Sequence, residues 1–82
     1  MKKIRVGIIM GGISLEKEVS FNSGRTICDH LDTSLYDIIP LFFSQNRQLY
    51  VLPSKFLHRG KISDFENKLE QNAKKVLWNF GF

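Results

Sequence analysis

The sequence has one cysteine, Cys28, so no disulfide can close within the chain. A lone thiol inside a helical pattern reads as a small buried apolar residue in a reducing compartment. No apolar run approaches the roughly 20 residues a membrane-spanning helix needs, so no membrane partner is expected. Met1-Lys2-Lys3 followed by apolar residues has the outline of a signal peptide. Arg5 breaks that run, Gly11-Gly12 end it, and no small-residue cleavage site follows, so the expected location is the cytoplasm. Basic residues outnumber acidic ones by twelve to eight, a net charge of +4. They are scattered from Lys2 to Lys75 without a dense stripe; nucleic-acid binders concentrate such charge on one face, so no nucleic-acid partner is expected. The familiar phosphate motifs are missing as well: Gly7, Gly11 and Gly12 space as GxxxGG, not GxGxxG, and there is no GxxxxGK[ST]. One cysteine and the distant His30 and His58 make no metal cluster, and Ser20 and Ser23 have no evident histidine partner for a nucleophilic triad.

What is present belongs to a folded chain. A hydrophobic share of 43% and a charged share of 24% are those of a globular domain. At 82 residues the chain makes one small domain, which buries only about 60 to 65% of its unfolded surface. Residues 4 to 10 form a nearly continuous apolar run, the pattern of a strand covered on both faces of a parallel sheet. From about Glu16 to His30 the period becomes helical, with Val19, Ser23, Ile27 and Leu31 four apart. Gly24, with Ser20 and Ser23, predicts a helix lying close against the sheet, because a mid-helix glycine otherwise costs about 1 kcal/mol relative to alanine.

Asp32-Thr33-Ser34 ends this helix and leads into a second strand, Tyr36 to Phe43. Its Pro40 cannot donate to a ladder and so favours an outer position or a bulge. Strand, helix and strand make a βαβ unit. Ser44 to Arg47 reads as a turn, and Gln48 to Leu52 as a short third strand returning as a hairpin. Residues 54 to 60 read as a helical turn or loop closed by Gly60. Ser63-Asp64-Phe65-Glu66 fits a capping box and predicts a helix through Phe65, Leu69, Ala73 and Val76, with Glu70 and Lys74 as an i,i+4 pair. The aromatic set Phe42, Phe43, Tyr50, Phe56, Phe65 and Trp78 is assigned to core or interdomain surface. The end, Val76 to Phe82, is apolar without a polar cap and reads as cut off.

The candidate functional stretch is Gly11-Gly12-Ile13-Ser14-Leu15-Glu16-Lys17-Glu18-Val19-Ser20. A helix following a core strand presents unpaired N–H groups at the carboxyl end of the sheet, where ligands of α/β proteins bind. Gly11 and Gly12 serve either a tight turn or close approach of backbone to a ligand, and both readings stay open. Glu16 and Glu18 serve either as ligand contacts or as acidic residues against the helix dipole. Ser14 is expected to cap the helix and Ser20 to bond locally to backbone. Lys17 and Arg25 are expected in solvent.

Val6-Gly7-Ile8-Ile9-Met10-Gly11-Gly12-Ile13-Ser14-Leu15-Glu16-Lys17-Glu18-Val19-Ser20, followed by Asn22-Ser23-Gly24, resembles the amino-terminal signature of D-alanine–D-alanine ligases: a strand, two glycines, a serine, then E-x-E-V-S. The resemblance implies an α/β, Rossmann-like (pre-ATP-grasp) open sheet, incomplete in these 82 residues. It implies a three-domain ATP-grasp enzyme of which this chain is similar to most of the first domain. Such ligases use ATP and Mg²⁺ to turn the carboxylate of one D-alanine into an acyl phosphate, which the amine of a second D-alanine attacks, in peptidoglycan precursor synthesis. The matching substrate contacts are Glu16, for the ammonium of the first D-alanine, and Val19; Glu18 keeps the structural reading. The intact enzyme is implied to be a homodimer. The His-Gly and Gly-Glu-Asp-Gly segments and the ATP-binding domains are not in these residues, so the chain alone is expected to bind no cofactor and to be inactive. Without later strands its sheet edge is expected to pair with another chain. The competing reading is a non-catalytic βαβ module that binds a small anion or a protein partner through the Gly-Gly loop.

Overall fold

A computed structural model describes residues 2–58 and 60–76. The first strand, β1 (Ile4–Gly11), leads through a loop into helix α1 (Lys17–His30), which returns the chain to β2 (Tyr36–Phe43). A turn then joins β2 to β3 (Leu49–Val51). After a short helix, α2 (Ser54–Leu57), come two 3₁₀ turns at Ile62–Asp64 and Glu66–Lys68, the short helix α3 (Leu69–Asn72) and β4 (Lys74–Val76). The sheet order is β1-β2-β3-β4. The pair β1–β2 is parallel, from Ile4↔Tyr36 to Gly11↔Phe43, and the other two pairs are antiparallel. The fold is therefore α/β with a mixed open sheet, and the expected βαβ unit and hairpin are both present.

Pro40 lies inside the sheet, with β1 on one side and β3 on the other, and not at the expected outer position. Leu52 N–H donates to the Pro40 carbonyl at 2.9 Å. The carbonyl and nitrogen of one strand residue face the same side, so the missing donor points towards β3 and not into the β1 ladder. In an antiparallel pair Leu52 and Pro40 would exchange two bonds; only one can form, and the β3 ladder stops at Val51.

Helix α1 buries a different face from the one its aliphatic spacing predicts. Phe21 and Gly24 are buried and Cys28 packs against the core, while Val19 and Ile27 are exposed. The aliphatic stripe has more members, but Phe21 brings a whole ring to two aromatic contacts in the core. Its centroid lies 6.1 Å from that of Phe42, edge-on, and 5.4 Å from that of Phe65. Phe65 in turn stacks on Phe56 at 5.2 Å. A buried aromatic removes about 150 to 250 Å² from water, more than any one residue of the stripe. Of the predicted aromatic core, Phe42, Tyr50 and Phe65 are fully buried and Phe56 packs on them; Trp78 lies outside the described residues.

Along β1, Met10 is buried beneath α1 whereas its neighbour Ile9 is 66% exposed. Among the described residues the strand is thus covered on one face, where two were expected; the helices all gather over the face that carries Met10 and Phe42.

The segment after Gly60 is not the single helix predicted from Ser63. Asp64 Oδ2 accepts the Lys61 N–H at 2.8 Å, so the local cap uses Asp64, and Glu66 turns elsewhere. Two 3₁₀ turns follow, then one short turn of α-helix, and Val76 belongs to β4. Ile62 and Phe65, three apart, both reach the core, since tight turns with about three residues per turn keep them on one side, and Leu69 at the start of α3 is buried as well. Glu70 pairs with Lys75 at 3.5 Å and not with Lys74, because the helix has ended before that residue.

Candidate functional site

The carboxyl ends of β1 and β2 lie side by side and are tied by Gly12 N–H donating to the Phe43 carbonyl at 2.9 Å. From this point the chain must reverse into α1. Gly11 (φ +87°) and Gly12 (φ +125°) take backbone conformations that residues with a Cβ rarely adopt. The two then differ. A Cβ on Gly11 would lie 2.6 Å from the Phe42 ring, so packing beneath the turn accounts for it. A Cβ on Gly12 would meet nothing within 4 Å, so its bare backbone faces open space.

Ser14 Oγ accepts the Glu16 N–H at 3.2 Å and closes a local turn. It does not cap the helix as expected, because Glu16 is itself the N-cap and its carbonyl accepts the first helical bond, from Ser20 N–H, at 3.0 Å. Glu16 therefore stands at the tip of the helix with its side chain exposed. Val19 follows in the first turn, 63% exposed, with the fully exposed Leu15 ahead of it. Gly12, Glu16 and Val19 thus sit on one corner at the end of the parallel strands. Among the described residues that corner is an exposed wall: the Glu16 carboxylate with exposed Leu15 before it and Val19 after it in the chain.

The neighbouring residues are held more firmly than their sequence suggests. Lys17, expected in solvent, pairs with Glu66 at 3.5 Å with both side chains largely covered. Glu66 also accepts the Gln45 N–H at 3.2 Å. Glu18 accepts the Ile62 N–H at 3.5 Å, a structural role, as expected for this residue although through a different partner. Arg25, also expected in solvent, lies 4.4 Å over the Phe21 ring and donates to the Gly60 carbonyl at 3.3 Å. Apart from Arg25 on Phe21, one helical turn away, these links join residues far apart in sequence, which periodicity cannot reveal.

A separate polar groove of about 430 Å³ runs beside this corner and is lined by Ser44, Asn46, Tyr50, Glu66 and Glu70 among others. None of Gly11, Gly12, Glu16 and Val19 lines it. Within it Tyr50 donates its hydroxyl to Glu70 at 2.6 Å and Asn46 donates to that hydroxyl at 3.1 Å. Burial, then the Glu70 contact, pushes the Tyr50 hydroxyl above its usual range, while the hydrogen bond from Tyr50 holds the Glu70 carboxyl below its own. On α1, burial and then the charge of Asp29 push the Cys28 thiol up, which keeps it protonated and a poor nucleophile.

The residues do not fit ATP or Mg²⁺. Glu16 and Glu18 set two carboxylates at the start of α1, the helix that follows the glycine turn, where a phosphate would need positive charge. Among the described residues no group of three acidic, histidine or cysteine side chains could hold a metal. No described helix is long and apolar enough to cross a membrane.

Residues 5–79 match the family described as D-ala D-ala ligase N-terminus. The chain belongs to that family. It is 35% identical to the D-alanine–D-alanine ligase of Natranaerobius thermophilus, in an alignment covering 95% of this chain and 23% of that protein. To the corresponding ligase of Caldicellulosiruptor bescii it is 31% identical, over 87% of this chain and 18% of the relative. The chain therefore spans about a quarter or less of the curated relatives it matches. Among solved structures, the D-alanine-D-alanine ligase from Coxiella burnetii superposes with a TM-score of 0.76 at 29% identity, over 99% of this chain and 23% of that one. The VanG D-Ala:D-Ser ligase from Enterococcus faecalis shares the fold, with a TM-score of 0.75 at 21% identity. Membership in the family favours the ligase reading over an unrelated βαβ module.

Proposed function

We propose that this chain is the amino-terminal substrate-holding part of an ATP-dependent ligase that joins two D-alanines for cell-wall precursor synthesis in the cytoplasm. Glu16 accepts hydrogen bonds from the ammonium of the first D-alanine, and Val19 packs beside it. The observation that carries the proposal is the placing of an exposed carboxylate at the N-cap of α1, beside the open backbone of Gly12, in a chain of this family. Glu16 acts by position: a fixed carboxylate holds the amino acid so that its own carboxylate faces the phosphoryl donor, which lowers the entropic part of the barrier. It transfers no proton.

The corner is one wall only, so the remaining walls, ATP and Mg²⁺ are assigned to the other domains of the intact ligase, a homodimer on this reading. The present chain alone is then inactive. ATP supplies the phosphoryl group that activates the first carboxylate; the residues described here neither contact nor orient it. In the intact ligase, Glu16→Gln should raise KM for the first D-alanine by about tenfold, the loss of one charge-assisted hydrogen bond, with kcat largely kept. An unchanged KM would remove Glu16 from the site.

A further inference from the structure

The substrate-side corner is followed immediately by a positive charge. Lys17 is the residue after Glu16; consecutive residues do not face each other on a helix, but the long, flexible lysine side chain can bend back towards its neighbour's carboxylate. An ammonium free at this position would compete with the ammonium of an amino acid for the same acceptor. The structure shows where it goes instead: Lys17 Nζ lies 3.5 Å from Glu66 Oε1, with the two side chains only 24% and 17% exposed. The other oxygen of Glu66 accepts the Gln45 N–H at 3.2 Å, so the carboxylate is itself fixed from the turn that follows β2. The segment carrying Glu66 is pinned along α1 by Glu18 on Ile62 N–H, Phe21 against Phe65, and Arg25 on the Gly60 carbonyl. Glu66 is therefore a rigidly mounted acceptor facing the one cation nearest in sequence to Glu16.

We infer that Glu66 is a positioning residue for the amino-acid site: it sequesters the Lys17 ammonium and leaves the Glu16 carboxylate free for a cationic ligand. The inference rests on the reading of Glu16 given above and adds a residue from a distant part of the chain. Solvent screens charges around the exposed Glu16 strongly, so a released Lys17 competes with a bound ammonium by a modest factor, not an overwhelming one.

This differs from a merely structural bridge in one respect: the harm done by losing Glu66 comes from the liberated lysine and disappears with it. Four versions of the chain separate the two accounts: wild type, Glu66→Gln, Lys17→Met and Lys17→Met/Glu66→Gln. Each is introduced into the intact ligase, whose other domains supply the remaining walls of the site, and titrated with D-alanine by NMR, with N-acetyl-D-alanine, which lacks the ammonium, as control. The expected result is D-alanine binding weakened about fivefold in Glu66→Gln, unchanged within twofold in Lys17→Met, and restored to within twofold of wild type in the double variant. Equal losses in both single variants with no recovery in the double would overturn the inference, as would a Glu66→Gln chain that binds like wild type. A second reading needs no ligand. The ¹³C signal of the Glu16 side-chain carboxyl at neutral pH should move in Glu66→Gln, as Lys17 swings across, and return in the double variant; no movement overturns the inference. A wild-type ligase whose D-alanine affinity is unchanged by Glu16→Gln counts against the role proposed for Glu16, while the carboxyl signal still decides whether Glu66 withholds Lys17 from it.

Discussion

A Cβ on Gly24 would lie 2.8 Å from the Cβ of Met10, closer than real atoms approach. The atom it would meet is attached directly to the backbone of β1 and cannot swing aside. Gly24→Ala would gain about 1 kcal/mol in helix propensity, but overpacking of this kind costs about 1 to 3 kcal/mol, and here the clash is between two elements of the sheet-helix interface. The substitution should lower stability by about 1 to 2 kcal/mol, read as a fall in Tm of several degrees by calorimetry. A rise in Tm would show that α1 can lift off the sheet freely.

Gly11 and Gly12 should respond differently to alanine. Both carry positive φ, and each should lose about 1 to 3 kcal/mol through backbone strain. Gly11→Ala adds contact with the Phe42 ring and should be the more destabilising of the two in urea unfolding. Gly12→Ala, whose methyl projects into open space, should cost less stability yet weaken D-alanine binding, because that space is where the ligand backbone lies on the proposed reading. Equal unfolding midpoints for the two variants would contradict the packing role of Gly11.

Burial of Tyr50 and its hydrogen bond to Glu70 together set a pH dependence at both ends. The Glu70 carboxyl is held below its usual value, about 4.3 for a free glutamate, so the stability it contributes is present above that value and is lost as pH falls through the lowered one. The Tyr50 hydroxyl is raised above its usual value, about 10, so its contribution is present below that pH and is lost as pH rises towards the raised one. Tyr50→Phe should flatten both limbs of a stability-against-pH profile measured by urea midpoints. A profile for that variant parallel to wild type would exclude the pair as their origin.

Strand β1 lies at the edge of the described sheet, and the residue Ile9 is 66% exposed on its uncovered face. Ile4 N–H and Gly12 N–H both donate towards the β2 side, and backbone direction alternates along a strand, so the N–H and C=O of Ile9 point towards the free edge. The chain should therefore associate at high micromolar concentration, and Ile9→Lys should return it to monomer at a stability cost within about 0.5 kcal/mol. Sedimentation velocity reads both; a wild-type chain that stays monomeric would contradict the edge as an association site.

Much of this architecture was legible in the residues because its signals are local. The change from a continuous apolar run to a helical period marked β1 and α1, and the turn at Ser44 to Arg47 marked the hairpin. The small residue Gly24 announced the close helix-sheet contact. Spacing alone points to the wrong face of α1, because it weighs Val19 and Ile27 equally with Phe21, whereas burial is decided by area. Pro40 was placed wrongly because a strand in isolation does not show that its partner ends one residue earlier. The helix predicted after Ser63 failed because Asp64 takes the local cap and Glu66 finds better partners in Lys17 and Gln45. For the site, the E-x-E-V-S pattern pointed to Glu16 and Val19, but the residues that hold its surroundings in place come from more than 40 positions away along the chain, as with Glu18 and Ile62.

The account turns on Glu16, and the most direct measurement is a structure of the intact ligase containing this segment with D-alanine bound. The account predicts a Glu16 carboxylate oxygen about 2.7 to 2.9 Å from the ammonium nitrogen of the first D-alanine, with Lys17 still turned towards Glu66. A Glu16 side chain directed into bulk water, with the ammonium held by other groups, would contradict it.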